Sequence, residues 1–271
     1  MNPKELREKI AKGEIKEQTS GMALGYAQAN LVILPKEYAK DFQTFCMLNP
    51  KPCPLLEIVH GKFTQKIAKN ANIYTDIPKY FIYENGIKTK EAYDISEYYN
   101  DDLIGFLLGC SFSFEEALLE KGLEIRHISN KCNVPMYKTN IACKSVGVFS
   151  GEMVVSMRPF TPDNAKKAKE ITANFPLVHG APVQIGNAKE IGINNILKAD
   201  FGDDPIIKEG EIPVFWACGV TPQNVIMKAK LPFVINPCAR AYVYKRYFKF
   251  IFKILGFFLA INIDKIYSKN R

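Results

Sequence analysis

The chain has 271 residues, 47% of them apolar and 24% charged, an ordinary globular composition that excludes a disordered, collagen-like or coiled-coil chain. Its seven cysteines are odd in number and include no C-x-x-C pair, and Met1–Gln18 holds no apolar leader segment, which predicts free thiols in a reducing, cytoplasmic setting. The net charge of +8 is concentrated in residues 236–271, where eight basic residues face Asp264 alone and +1 is left for residues 1–235, so the main body carries no electrostatic signature of a nucleic-acid partner.

Asn2–Lys16 has a polar helical pattern and Tyr38–Phe45 a short helical one. Three prolines within Asn49–Pro54 remove backbone donors and fix φ, which predicts a rigid loop before a strand over Leu55–Val59. Lys79–Tyr83 alternates as a strand, and the Asn85-Gly86 pair after it signals a hairpin. Asp101–Leu108 is apolar enough for a buried helix. Ser113 and Glu116 have capping-box spacing for a helix over Ser113–Lys121, with Gly122 as its stop. Leu123–Ile128, Gly147–Met157 and Ile212–Cys218 read as strands, and Asn164–Phe175 as a helix capped by Thr161 or Asp163. The alternation predicts an α/β or α+β fold over residues 1–235, with a smaller layer set in around 111–200. Residues 236–271 form a separate basic, aromatic tail.

The sequence holds no G-x-G-x-x-G, P-loop, H-E-x-x-H or G-x-S-x-G motif, so no organic cofactor is implied. Chemistry-bearing residues gather instead beside Pro and Gly. Gly109–Glu115 offers Ser111 and Ser113 to an anionic group, or else a plain helix cap. Arg126-His127 joins a guanidinium fork suited to a carboxylate with a proton carrier, although strand alternation would send one inward and the other to water. Asn140 belongs to the polar run after Pro135. Arg158 stands before Pro159 at a strand end, a place for substrate or for a surface ion pair. The tight turn His179-Gly180-Ala181-Pro182 presents His179. Asp203, within Asp200–Asp204, suits a divalent cation, a base or an ordinary Asx turn. Cys218-Gly219 and Thr221-Pro222 fall at the carboxyl end of a strand, where ligands sit in open α/β sheets. Cys218 itself reads as a nucleophile or as an inert buried thiol.

Gly25–Asn30, Asn49–Glu57, Asp76–Tyr80, Gly109–Glu115, Arg126–Ile128, Asn133–Tyr137, Ser156–Pro159, His179–Val183, Asp200–Asp203 and Pro213–Gln223 occur in one order. In this the chain resembles, from Ser20 to Ile235, the hydro-lyase family related to the catalytic domain of D-glutamate cyclase. The resemblance implies an enzyme that eliminates water from a small amino or hydroxy acid, on a layered α/β domain with an embedded α+β subdomain. In D-glutamate cyclase the α-amine closes onto the γ-carboxyl, giving 5-oxo-D-proline and water. For such a reaction Arg158 or Arg126 would hold the α-carboxylate and His127 or His179 would take the amine proton. Ser111, Ser113, Asn140, Thr221 and the backbone around Gly219 would surround the substrate and its departing oxygen. Cys218 completes the catalytic candidates, and Asp203 would bind a metal or orient a histidine. The implied partner is a small molecule. A divalent metal and a homo-oligomer stay open, and residues 1–235 imply no membrane.

The family continues after the Pro-Phe-x-Ile equivalent of Pro232–Ile235 with Thr-His-Ala-Pro-Gly-His-Met-Phe. Here Asn236–Lys245 reads Asn-Pro-Cys-Ala-Arg-Ala-Tyr-Val-Tyr-Lys, and a permitted codon set for that string, read one nucleotide later, translates to the family ending. A frameshift near Ile235 is therefore expected, with two histidines lost and activity impaired. A catalytically dead binding homologue is one alternative. Taken as genuine, Tyr247–Ile263 gives another: a membrane-surface helix with snorkelling Lys249 and Lys253. A spanning helix is not expected, because the uninterrupted run Ile254–Ile261 is far short of the ~20 apolar residues required.

Overall fold

The run Tyr26–Pro35 forms β1, and eight of its ten residues are buried, so both faces of this strand are covered. The computed structural model describes residues 1–23 and 25–237 and the backbone course of 242–246. It places β1 against β5 (Leu103–Gly109) on one edge and against β10 (Val234–Asn236) and β11 (Tyr242–Arg246) on the other. With β2 (Leu55–His60), β3 (Tyr80–Glu84) and β4 (Ile87–Ala92) these make a sheet of order β2-β5-β1-β10-β3-β4, with β11 on β1. A second sheet runs β6-β7-β9-β8, from β6 (Met136–Ala142), β7 (Glu152–Phe160), β8 (Gln184–Ile185) and β9 (Ile212–Ala217). Its strands, like those of the first sheet, pair antiparallel.

Six α-helices join them among the described residues: α1 (Pro3–Ala11), α2 (Lys36–Leu48), α3 (Glu115–Glu120), α4 (Arg126–Ser129), α5 (Pro162–Ala173) and α6 (Thr221–Ala229). The class is mixed α/β, as the alternation of patterns predicts. Local chemistry sets several boundaries. Thr161 accepts a hydrogen bond from the Asn164 amide and Pro162 opens α5, the pairing expected of a helix start. Asn85 (φ 53) and Gly86 (φ 80) turn β3 into β4 with both central residues left-handed.

Side chains of β1 point alternately to two cores. Leu31 and Ile33 join Tyr74, Tyr80, Leu107, Phe114 and Trp216. Val32 and Leu34 join Phe42, Phe45, Phe106, Phe149 and Phe215.

Three expectations are corrected. Asp101–Leu108 is not a helix: β5 lies between β2 and β1 and is buried along its whole length, so its apolar run has no polar alternation to mark it as a strand. Leu123–Ile128 is not a strand but a bend into the short helix α4. The capping box at Ser113 does not form: a 3-10 turn over Ser111–Phe114 precedes α3, and the Ser113 hydroxyl instead bonds the backbone of Gln28. The Tyr247–Ile263 helix lies outside the described residues. Among the described residues no helix is long and apolar enough to cross a membrane.

Candidate active site

Ser156 and Arg158 share one face of β7, as residues two apart on a strand must. Arg158 is only 1% exposed, and a guanidinium so placed is costly unless its charge is answered. Glu115, the first residue of α3, answers it: Nη2 donates to Oε1 at 2.5 Å. Nη1 donates to the Ser156 hydroxyl at 3.2 Å and Nη2 also reaches that of Ser111 at 3.3 Å. The rings of Phe114 and Trp216 flank the guanidinium carbon at 5.2 and 5.5 Å, a desolvated cation–π contact.

Glu115 holds two further groups. His127 Nε2 lies 2.9 Å from Oε1, and the Ser20 hydroxyl donates to Oε2 at 2.9 Å. Burial pushes the Glu115 carboxyl up, but the charges of His127 and Arg158 and their hydrogen bonds more than reverse this and hold it down at about 2. Glu115 is therefore an acceptor only, and His127 Nε2 carries the hydrogen between them. The Ser20 oxygen, 3.2 Å from Nε2, offers that N–H a second acceptor.

His179 follows a 3-10 turn over Pro176–Val178 and takes φ +84, a left-handed conformation that costs a residue other than Gly or Asn some strain. Gly109, where β5 ends, makes room for this turn: a Cβ there would stand 2.0 Å from the Leu177 carbonyl oxygen. His179 Nδ1 meets the Lys51 carbonyl at 2.8 Å. A carbonyl only accepts, so Nδ1 carries the hydrogen and Nε2 the lone pair. Burial, then the charges of Lys51 and Arg158, lower the His179 pKa to about 4 despite nearby backbone acceptors, so the ring is neutral at pH 7.

Two atoms of this region stay open. His179 Nε2 and Arg158 Nε are both buried without a hydrogen-bond partner. One accepts and the other donates, and the Arg158 charge is felt at His179. A buried polar atom without a partner costs about 1–3 kcal/mol, so each of the two is a candidate contact for a ligand group in this region. Beside it lies Cys110, whose thiol burial pushes up to about 12, in a small apolar cluster with Cys218. Cys218 is buried, with its sulfur 3.5 Å from that of Met136. After it, Gly219 admits the Asn30 side chain, whose Nδ2 would lie 1.8 Å from any Cβ.

Of the residues singled out in the sequence, Arg158, Ser111 and His127 thus meet around Glu115, and His179 is coupled to them electrostatically. The others do not join them. Arg126 pairs with Glu211 at 2.6 Å, Glu124 at 3.1 Å and the Ile206 carbonyl. Asp203 accepts from the Asn133 amide at 2.7 Å and orients no histidine. Among the described residues no three His, Cys, Asp or Glu side chains converge as a metal site. Asn140 is exposed on β6. Ser113 and Thr221 tie down the backbones of Gln28 and Val154. Arg158 lies inside β7 rather than at its end, because Pro159 faces Pro213 across the ladder and neither needs a donor there. The strand-end rule for Cys218-Gly219 lapses as well, since it belongs to parallel sheets and this one is antiparallel.

Sequence reasoning missed Glu115, Ser20, Ser156 and Lys51. The signal for Glu115 was present: an acid ending the run Ser111-Phe112-Ser113-Phe114, whose aromatics had to be core.

A family model described as D-glutamate cyclase matches residues 104–242. Curated relatives named "Putative hydro-lyase" are similar over most of the chain. One from Bacillus velezensis is 54% identical over 238 residues, covering 87% of this chain and 90% of its own. One from Clostridium beijerinckii is also 54% identical and is covered over 91% of its length. The Bacillus subtilis relative YcsI is 52% identical and covered over 93%. A solved nitrogen repressor-like protein from Methanococcus jannaschii overlaps 85% of this chain and 90% of its own at 11% identity with a TM-score of 0.35, too slight a likeness to bear on function.

Proposed function

The chain belongs to the D-glutamate cyclase family of hydro-lyases, and on that footing we propose that it removes water from a small amino or hydroxy acid, the closure of D-glutamate to 5-oxo-D-proline being the specific case. The observation that carries this reading is the pair of open buried atoms, His179 Nε2 as acceptor and Arg158 Nε as donor.

In that closure the α-nitrogen bonds to the carbon of the γ-carboxyl group and one of that group's oxygens departs. The two protons lost by the ammonium group end on that oxygen, which leaves as water. The site therefore relays protons and neither supplies nor keeps any. A base with a pKa of about 4 does not strip a free ammonium. The amine therefore reacts neutral, its first proton passing to solvent and a solvent proton reaching the departing oxygen, while His179 takes the second as the nitrogen bonds to carbon and its conjugate acid hands that proton to the same oxygen. Arg158 Nε steadies the negative charge that develops on oxygen. Glu115, Ser111 and Ser156 fix the guanidinium, while His127 and Ser20 fix Glu115; these are positioning residues.

Incubation of the purified protein with D-glutamate, followed by mass spectrometry for 5-oxoproline, tests the reading. His179→Asn is the informative variant, because asparagine tolerates the left-handed backbone and its amide N–H can still reach the Lys51 carbonyl. The expected loss of rate is about 10²–10⁴-fold, as for removal of a general base. No product from the unaltered protein, on D-glutamate or on a panel of short hydroxy acids, overturns it.

A further inference from the structure

Lys51 stands between Pro50 and Pro52 in the loop joining α2 to β2. Its ammonium is half-buried and donates one hydrogen bond, to the Ala181 carbonyl at 2.6 Å. An ammonium carries three N–H donors. Among the described residues no carboxylate pairs with Lys51, whereas Arg158 has one and Arg126 two. Lys51 Nζ would also lie 4.0 Å from a Cβ at Gly180, so the charge sits on the His179–Ala181 turn itself. The same loop supplies the carbonyl that orients His179. His179 is thereby flanked by two cations from different elements, Lys51 from the loop and Arg158 from β7, and both act on its ring. Only the second of these is neutralised by the protein.

We propose that Lys51 is a specificity-determining residue that holds one carboxylate of a short dicarboxylic substrate, with the reacting centre presented to His179 and Arg158. The inference rests on the reading of the site given under Proposed function and adds to it the residue that selects a second carboxylate. The rigid Pro-Lys-Pro backbone fixes where the ammonium sits, so chain length between the carboxylate and the reacting atom is selected as well. Burial lowers the Lys51 pKa, the mark of an ammonium whose lost hydration has not been replaced by a counter-charge.

The test is a binding cycle that needs no turnover. Glutarate and its uncharged diamide, glutaramide, are titrated calorimetrically into the full chain and into Lys51→Gln and Lys51→Arg. The unaltered protein is expected to prefer glutarate, and Lys51→Gln to bind glutarate about tenfold or more weakly and to lose the preference between the two ligands. Lys51→Arg, which keeps the charge, is expected to restore part of it. The side-chain change leaves the Lys51 carbonyl in place for His179, and the melting temperature of each variant checks that the loop is intact. Equal affinity of Lys51→Gln and the unaltered protein for glutarate, equal losses for both ligands, or no binding of either overturns the proposal. If D-glutamate is turned over with an unchanged KM in Lys51→Gln, this inference fails and the proposed reaction stands. If glutarate binding depends on Lys51 but no substrate is dehydrated, the anchor stands and the proposed reaction fails.

Discussion

Glu115 is the residue on which the polar interior depends. It is buried, unprotonated, and shared by Arg158, His127 and Ser20. Replacing Glu115 by Gln keeps the shape and removes the charge, leaving the Arg158 cation in an apolar setting with only serine hydroxyls. The expected cost is about 3–5 kcal/mol in urea unfolding, the range for breaking a buried pair from one side; a change under ~1 kcal/mol would mean the network is not what holds the guanidinium. His179 adds a pH signature. Its folded pKa of about 4 lies below the ordinary 6.5, so the unfolded chain takes up that proton first. Stability should fall as pH drops from 6.5 to about 4, by ~3 kcal/mol in all. Glu115, held at about 2 against 4.5, contributes a separate loss between about pH 4.5 and 2. Unfolding measured at several pH values should show His179→Asn without the first loss and with the second. At this scale the sequence is only half legible. Pro and Gly beside Arg158 and His179 mark rigid backbone, and the aromatic run before Glu115 marks an acid drawn inward, but which buried cation it meets is chosen by tertiary packing.

Among the elements, the readable ones carry their own chemistry: the Thr161-Pro162 start of α5, the Asn85-Gly86 turn, the proline loop before β2. Strand β5 misled because burial on both faces erases the period-two pattern, leaving an apolar run that serves a helix equally well. The element that most shapes the site is the contact between the end of β5 and the turn at Leu177. Gly109→Ala puts a methyl against a backbone oxygen that cannot swing away, so the His179 turn must move. Overpacking of this kind costs about 1–3 kcal/mol, and displacement of His179 should lower activity beyond what the fall in stability explains. An alanine variant with full activity and an unchanged melting temperature would show that the turn does not need this close approach.

For the whole molecule, two antiparallel sheets and two cores bring β7, α3, the Pro-Lys-Pro loop and the His179 turn together from distant parts of the chain. Their order along the sequence marks the family, whereas their meeting in space follows from sheet pairing that one sequence does not spell out. The segment Tyr242–Arg246 continues the ladder along Tyr26–Ala29 of β1, a pairing made by main-chain groups that any frame of translation could supply. The proposal that residues 236–271 are read out of frame is therefore decided at the gene: sequencing across codons 230–240 should reveal a frame change, and an intact frame with other codons would remove it. The reaction itself is tested most directly with D-glutamate carrying ¹⁸O in both γ-carboxyl oxygens. The account predicts 5-oxoproline that keeps one labelled oxygen, with the other released as water, and the same product about 10²–10⁴-fold more slowly from His179→Asn. Unlabelled water, no 5-oxoproline, or product from the variant at an equal rate would contradict it.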